Sequence, residues 1–200
     1  MSISGFWTVR RVAACLKRRG GLRKAWPSQL VFTDPARTPD PIALAARLPR
    51  GVALVYRAFG AADADLVARK LRDIARRRGF LLLIGADARL AARVGADGVH
   101  LPERLAHHAH RIRRFGWWIT AAAHSVRAAR VSGVDAVVVS AVFHSTSRSA
   151  GPPLGPVRLA NIARASGALI YALGGVNDAT AARLNGTGVI GLAAVDVSKT

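Results

Sequence analysis

Eight short apolar runs separated by helical stretches constrain the fold of this chain more than any other feature. The runs are continuous rather than alternating, which is typical of parallel strands buried on both faces. They lie at residues 29–33, 52–57, 80–85, 97–101, 117–122, 135–142, 168–174 and 189–195. Helical stretches are predicted at 41–48, 62–78, 86–94, 104–114, 125–132, 156–165 and 178–185.

This alternation predicts an all-parallel α/β fold, and eight is the strand number of the (β/α)8 TIM barrel. A chain of 200 residues is short for such a barrel, so we expect short loops and a missing or truncated last helix. An open doubly wound sheet is the alternative, but neither GxGxxG nor GxxxxGK[ST] follows any predicted strand. We therefore expect one barrel domain over residues 28–200, preceded by a basic N-terminal arm over residues 1–27.

Cysteine content and apolar run length limit the class of protein. The single cysteine, Cys15, excludes an intramolecular disulfide and a cysteine-based metal cluster. No apolar run approaches the ~20 residues that a membrane helix needs. We expect a cytoplasmic globular protein without a membrane partner.

The net charge of +19 comes almost entirely from arginine, because only four of the 30 basic residues are lysines. The arginines fall mostly at helical spacing, which is typical of solvated helix faces and makes nucleic acid an unfavoured partner. A nucleic-acid-binding protein remains the alternative from another class. Arginines clustered on one face would favour nucleic acid, whereas arginines around the strand carboxyl ends would favour a phosphate ester. Self-association as a homo-oligomer is left open.

Catalytic and binding residues of a barrel gather where its strands end and the βα loops begin. Glycines there let backbone amides bind an anion, and the seventh and eighth strands are the usual place for a phosphate. The predicted phosphate-binding residues are Gly174, Gly175 and Gly191. Paired glycines are also ordinary turn residues, so the two interpretations are balanced.

The loop over residues 143–155 is rich in hydroxyls and contains one arginine. We expect it to bind a pyrophosphate or a similar anion, because arginine and hydroxyl groups are good phosphate ligands. The predicted anion clamp consists of Ser145, Ser147 and Arg148. The alternative is a surface loop whose serines bond to their own backbone.

His124 ends the fifth predicted strand and precedes a helix. An imidazole at that place is suited to proton transfer, and a helix cap is the equally weighted alternative. Three further histidines, in the segment HHAH at 107–110, lie in a basic helix and are interpreted as a solvated face rather than a metal site.

Four segments resemble the thiamine phosphate synthase family, which also contains the thiazole tautomerases. They occur in the family's order between about residues 28 and 197: GADGVHLP (95–102), AHS (123–125), VVVSAVFHSTS (137–147) with PLG (153–155), and YALGGVN (171–177). The resemblance implies a (β/α)8 barrel that binds a thiazole phosphate near its last two strands. It also implies transfer of a hydroxymethylpyrimidine from its pyrophosphate to that thiazole, with the help of magnesium.

The chain departs from the family at the second strand and in the loop after the sixth. The synthases' Gln-x-Arg-x-Lys is reduced to Arg57, with Val55 and Phe59 at the flanking positions. The Thr-x-Thr-Lys loop becomes residues 145–148, Ser-Thr-Ser-Arg, which keeps hydroxyls and a cation. The resemblance therefore makes Arg57 a catalytic candidate.

The magnesium ligands of the family are missing. Its Asn-Asp after the third strand aligns with Gly85 and Ala86, and its carboxylate after the fourth strand aligns with Leu105. Asp87 and Glu103 are weak substitutes, so no metal ligand and no cofactor is assigned and a need for magnesium is doubtful.

Three functions are consistent with these residues. Synthase-type transfer is the nominal prediction. The tautomerase branch needs no magnesium, and its histidine corresponds to His124, so proton transfer is the alternative. A barrel that binds a phosphate ester without catalysis is the third.

Overall fold

The computed structural model describes Ala13, residues 26–145 and residues 151–195. Each strand pairs in parallel with its sequence neighbours, and the first strand pairs with the eighth, so the sheet closes into a barrel. The strands are β1 (Gln29–Phe32), β2 (Ala53–Tyr56), β3 (Leu81–Gly85), β4 (Gly98–Leu101), β5 (Trp118–Ala123), β6 (Ala136–Val139), β7 (Ile170–Ala172) and β8 (Gly191–Val195). The predicted (β/α)8 barrel is confirmed.

Within the described ranges, seven α-helices lie between the strands: α1 (Pro41–Arg47), α2 (Ala64–Arg78), α3 (Ala88–Val94), α4 (Ala109–Ile112), α5 (Val126–Ala129), α6 (Gly155–Ser166) and α7 (Asp178–Ala181). Two 3₁₀-helices, Glu103–His108 and Ala182–Leu184, precede α4 and follow α7. The helix predicted at 104–114 is therefore divided into two short pieces. Residues 196–200, where a last helix would begin, lie outside the described residues. No described helix has both the length and the apolar content to cross a membrane.

Polar side chains at the carboxyl ends of the strands cap the helices that follow. Asp40, Asp87, Ser125 and Asn177 each accept a hydrogen bond from a backbone N–H in the first turn of α1, α3, α5 and α7. Such a cap replaces an acceptor that the helix itself lacks and stabilises it by about 1 kcal/mol. The caps fix where each βα loop ends, and thereby hold the mouth of the barrel.

The barrel interior is filled by side chains rather than left open. Tyr171 is fully buried there, and its hydroxyl donates to the Pro27 carbonyl oxygen at 2.6 Å. Its ring leaves no space for a side chain at Gly191, where a Cβ would lie 2.5 Å from the Tyr171 ring and 2.6 Å from the Ser28 carbonyl oxygen.

Gly191 corrects a prediction, because it is the first residue of β8 and lies at the amino end of the barrel. We expected it at the mouth with Gly174 and Gly175, which follow β7 at the opposite end. The apolar run 189–195 begins two residues before the strand, so Gly191, its third residue, becomes the first residue of β8. Gly191 is required for packing against Tyr171.

Candidate active site

The carboxyl ends of the strands bring most of the predicted site residues to one end of the barrel. These are Arg57 after β2, Asp87 after β3, Glu103 after β4, His124 after β5, Ser145 after β6, and Gly174 with Gly175 after β7. Two members of the predicted anion clamp, Ser147 and Arg148, lie outside the described residues. Ser145 is half-buried and has an interaction partner.

His124 is exposed at the mouth and is held by two contacts. Its Nδ1 atom lies 2.6 Å from the Ser140 carbonyl oxygen, while the Ser140 hydroxyl is farther away at 3.5 Å. Its backbone N–H donates to the Glu103 carboxylate at 2.9 Å. A carbonyl oxygen only accepts, so Nδ1 carries a proton, and the neutral form of the ring keeps its lone pair on Nε2. This is the tautomer that a general base needs.

The alternative role of His124 as a helix cap does not fit the structure. The cap of α5 is Ser125, whose hydroxyl accepts from the Ala128 N–H at 3.1 Å. The imidazole of His124 is directed instead to β6, where Ser140 follows the strand.

Arg57 is half-buried and largely engaged by its own neighbours. Its Nε donates to the Thr33 carbonyl oxygen at 2.6 Å, and its guanidinium lies 3.3 Å from the Asp34 carboxylate. Burial lowers the pKa of Arg57, and the negative charge of Asp34 opposes that shift. The guanidinium stays charged, but Asp34 neutralises much of its field at the mouth.

Phe59 is a site residue that the sequence did not single out as functional. It is 68% exposed and has a left-handed backbone with φ of 50°, which is unusual for a bulky residue. The Arg57 guanidinium lies 5.2 Å from its ring and 5.6 Å from the ring of Phe32, within the range of cation–π contacts. An aromatic surface therefore stands where the resemblance implies a lysine.

His100 lies deeper in the mouth and was not predicted as a site residue. It is 7% exposed, its Nδ1 is 2.9 Å from the Thr120 hydroxyl, and its ring packs edge-on against Phe32. Burial, followed by the positive charge of Arg57, lowers the pKa of His100 to about 3. This histidine is neutral at physiological pH, which lets it pack beside the arginine.

Gly174 and Gly175 both have left-handed backbones, with φ of 95° and 64°. A Cβ at Gly174 would lie 2.8 Å from Ala141, and a Cβ at Gly175 would collide with the His144 carbonyl oxygen. Glycine is therefore required by packing against the loop after β6. Among the described residues, no acceptor bonds to the backbone N–H groups of Gly174, Gly175 and Val176, so these three donors can bind an anion.

The carboxylates near the mouth do not fit a magnesium site. Asp87 accepts from the Leu90 N–H at 2.8 Å as the cap of α3, and Ala86 before it has a left-handed backbone. Glu103 holds the His124 backbone and Asp34 is paired with Arg57. Each carboxylate has its own structural partner, and the described part of the chain has no group of three metal-ligating side chains.

Comparison with known proteins identifies the family. The family model described as thiamine monophosphate synthase matches residues 31–197. Thiamine-phosphate synthase of Thiobacillus denitrificans is 31% identical over 176 residues, which cover 82% of this chain and 83% of the relative. The chain spans 65% of the thiamine-phosphate synthase of Leuconostoc citreum and 28% of the thiamine biosynthesis bifunctional protein of Symbiobacterium thermophilum.

A solved structure supports the architecture independently. Thiamine phosphate pyrophosphorylase from Pyrococcus furiosus superimposes with a TM-score of 0.73 over 86% of this chain and 87% of its own, at 24% identity. A likeness at that identity shows the fold. With the family match over residues 31–197, the conclusion is that this chain belongs to the thiamine monophosphate synthase family.

Proposed function

We propose that this chain acts in thiamine biosynthesis on a phosphorylated thiazole, by transfer of the synthase type. Family membership and the names of the curated relatives support the pathway. The observation that carries the proposal is the Gly174–Val176 turn. Its three backbone donors have no described acceptor and stand at the carboxyl end of β7, a usual phosphate position in barrels.

In this proposal the thiazole phosphate binds to the Gly174, Gly175 and Val176 amides, with the ring directed towards the mouth. The thiazole nitrogen gives its lone pair to the methylene carbon of the hydroxymethylpyrimidine. The carbon–oxygen bond to pyrophosphate breaks at the same carbon, and pyrophosphate leaves with the bonding electrons. Ser145, Ser147 and Arg148 are proposed to bind that leaving group, with Arg57 across the mouth.

No step of this scheme is assigned to magnesium, because Asp34, Asp87 and Glu103 all serve other partners. Stabilisation of the leaving group then depends on hydroxyls and guanidinium groups. Arginine suits that task because it binds two phosphate oxygens at once.

Proton transfer by His124 is the second candidate, and one observation favours it. The Nδ1 contact to the Ser140 carbonyl oxygen leaves Nε2 free to accept a proton at the mouth. In a tautomerisation, Nε2 removes a proton from one position of a thiazole carboxylate phosphate and returns it to another. This reaction requires neither a second substrate nor a metal ion.

A panel of assays separates these functions. Purified protein is incubated with a thiazole phosphate, with and without hydroxymethylpyrimidine pyrophosphate, and thiamine phosphate and pyrophosphate are measured. The synthase proposal expects both products in equal amounts. Formation of a thiazole isomer without pyrophosphate would support proton transfer instead. Binding without either product would support a barrel that binds a phosphate ester without catalysis. For all three functions we propose a cytoplasmic location.

A further inference from the structure

Arginines are concentrated at the amino end of the barrel, opposite the candidate active site. Seven of the exposed arginines that occupy helix ends and the loops leading into strands there are Arg50, Arg76, Arg77, Arg78, Arg113, Arg114 and Arg130. Most of the described carboxylates instead lie near the mouth: Asp34, Asp40, Asp63, Asp65, Asp87, Glu103 and Asp178. We call the seven arginines, with the loops that carry them, the amino rim.

The arginines of the amino rim follow an arc around this end of the barrel. Arg50 packs its side chain against Gly79, which directly follows Arg78. Arg76 reaches towards Gly95, in the loop before β4. Further along, Arg113 donates to the Gly133 carbonyl oxygen and Arg130 donates to the Ala165 carbonyl oxygen. The arc therefore extends from the loop before β2 to the loop before β6, from which Arg130 reaches the last turn of α6.

Two carboxylates on this rim, Asp97 and Asp135, are committed to structural partners. Asp97 accepts from the Leu82 N–H and pairs with Arg72, and Asp135 accepts from the Ile119 N–H and pairs with Arg113. The other six rim arginines have no ion-pair partner among the residues described here. Asp73 lies one turn before Arg76 and offsets only part of the positive charge of these six arginines.

An exposed aromatic loop interrupts the arc. Phe115 is fully exposed, and the Arg114 guanidinium lies 5.3 Å from the Trp117 ring. An open groove of about 290 Å³ lies nearby on the same rim, lined by Arg130, Val134 and Ser166 among others. Guanidinium groups with stacking rings are the combination that binds single-stranded nucleic acid, because the cations follow the phosphates and the rings stack on bases.

The basic N-terminal segment is joined to the barrel at this end. Trp26 packs edge-on against Trp118, the first residue of β5, with ring centroids 4.1 Å apart. Residues 1–25 precede Trp26 and contain seven basic residues and no acidic one. The described chain therefore enters the barrel at the end that carries the arginine arc.

We propose that the amino rim binds single-stranded nucleic acid. Phosphates pair with Arg76, Arg77 and Arg114, and a base stacks on Phe115. The binding is independent of the proposed thiazole chemistry, because the rim and the mouth are opposite ends of one barrel. A membrane surface fits less well, since Phe115 is alone on the rim among the exposed large apolar residues of the described chain.

Fluorescence anisotropy with labelled 20-residue RNA and DNA single strands tests this proposal in the full chain. The rim variant is Arg76→Gln/Arg77→Gln/Arg114→Gln, which removes exposed charges without a described backbone bond. The matched control is Arg89→Gln/Arg127→Gln/Arg158→Gln, which removes three exposed charges from helix starts near the mouth. Both variants have the same net charge.

The rim variant is expected to weaken binding at least tenfold at 0.1 M salt, and the control less than twofold. The slope of log affinity against log salt should fall by about two in the rim variant, since each single-strand phosphate contact contributes about 0.7. Phe115→Ala should weaken binding at least fivefold, because base stacking on an aromatic ring is lost. Preference between the RNA and DNA probes identifies the nucleic acid.

Equal losses in the rim and control variants would overturn the proposal, because they would show non-specific charge attraction. Absence of measurable binding by the wild type would also overturn it. Vesicles with anionic lipid form a third arm, and rim-dependent vesicle binding without rim-dependent oligonucleotide binding would also overturn it. Thiazole phosphate binding by the rim variant, measured by calorimetry, should equal that of the wild type. That control separates failure of this proposal from failure of the proposed catalytic function.

Discussion

The Nδ1 atom of His124 lies 2.6 Å from the carbonyl oxygen of Ser140, across the gap between the ends of β5 and β6. This contact fixes both the ring orientation and the position of its proton. The contact joins two residues that are 16 apart in the sequence. It also depends on Glu103, which follows β4 and whose carboxylate accepts from the His124 backbone N–H. Three neighbouring strands thus place one imidazole at the mouth.

If the chain catalyses tautomerisation, His124→Ala should reduce exchange of the thiazole proton with heavy water by about 10²–10⁴-fold, as expected for loss of a general base. His108→Ala, at a half-buried histidine outside the mouth, is the matched control. NMR of the substrate in heavy water gives both rates. Equal exchange in the wild type and His124→Ala would make His124 structural.

Any turnover should respond little to removal of magnesium. Asp87→Ala should lower the free energy of unfolding by about 1 kcal/mol through loss of the α3 cap, without changing the response of activity to magnesium. Turnover is measured with and without a chelator in both proteins. Robust synthase turnover that collapses on addition of the chelator would contradict our interpretation of these carboxylates.

The Gly175 position should be sensitive to a single methyl group. Gly175→Ala brings a Cβ against the His144 carbonyl oxygen and Phe143, so the loop after β6 must shift. We expect thiazole phosphate binding to weaken at least tenfold by calorimetry, through displaced backbone donors. Gly167→Ala is the matched control, because Gly167 has a similar φ of 67° and open space around it. Comparable affinity in all three proteins would exclude this turn as the phosphate site.

The fold was predictable from the sequence because buried parallel strands produce continuous apolar runs, and each of the eight runs overlaps a strand. The run itself already indicates the amino half of the strand for Gly191, which is its third of seven residues. The exact place of Gly191 as the first residue of β8, paired with Tyr171, depends on the register of the barrel.

Local sequence also could not reveal the arrangement at the mouth. The predicted residues Arg57 and His124 do lie there, but the pairing of Arg57 with Asp34 and the tautomer of His124 depend on contacts between different strands. The exposed ring of Phe59 depends on a left-handed backbone that a bulky residue rarely adopts. No residue pattern signals that conformation.

Phe59→Lys should restore affinity for pyrophosphate at the β2 side of the mouth. The new ammonium group would stand beside Arg57, where the wild type presents an aromatic ring. We expect about fivefold tighter binding of inorganic pyrophosphate, the effect of one charge-assisted contact at a partly exposed site. Leu66→Lys, at a residue that is 56% exposed in α2, adds the same charge as a control. An equal gain in both variants would mean that net charge alone is responsible.

The buried His100 should make the stability of this protein fall in acid. Its pKa is lowered to about 3 in the folded chain, so the unfolded chain binds more protons below its ordinary value of 6.5. Stability is therefore lost as the pH falls from about 6.5 towards 3, and the loss from this one group at pH 5 is about 2 kcal/mol.

His100→Asn keeps an amide near the Thr120 hydroxyl and cannot be protonated in this range. Urea unfolding at pH 7 and pH 5 should show a smaller pH difference in this variant than in the wild type, by about 2 kcal/mol. His110→Asn, at an exposed histidine, is the matched control. If His100→Asn has the same pH dependence as the wild type, the imidazole is not held neutral by its burial beside Arg57.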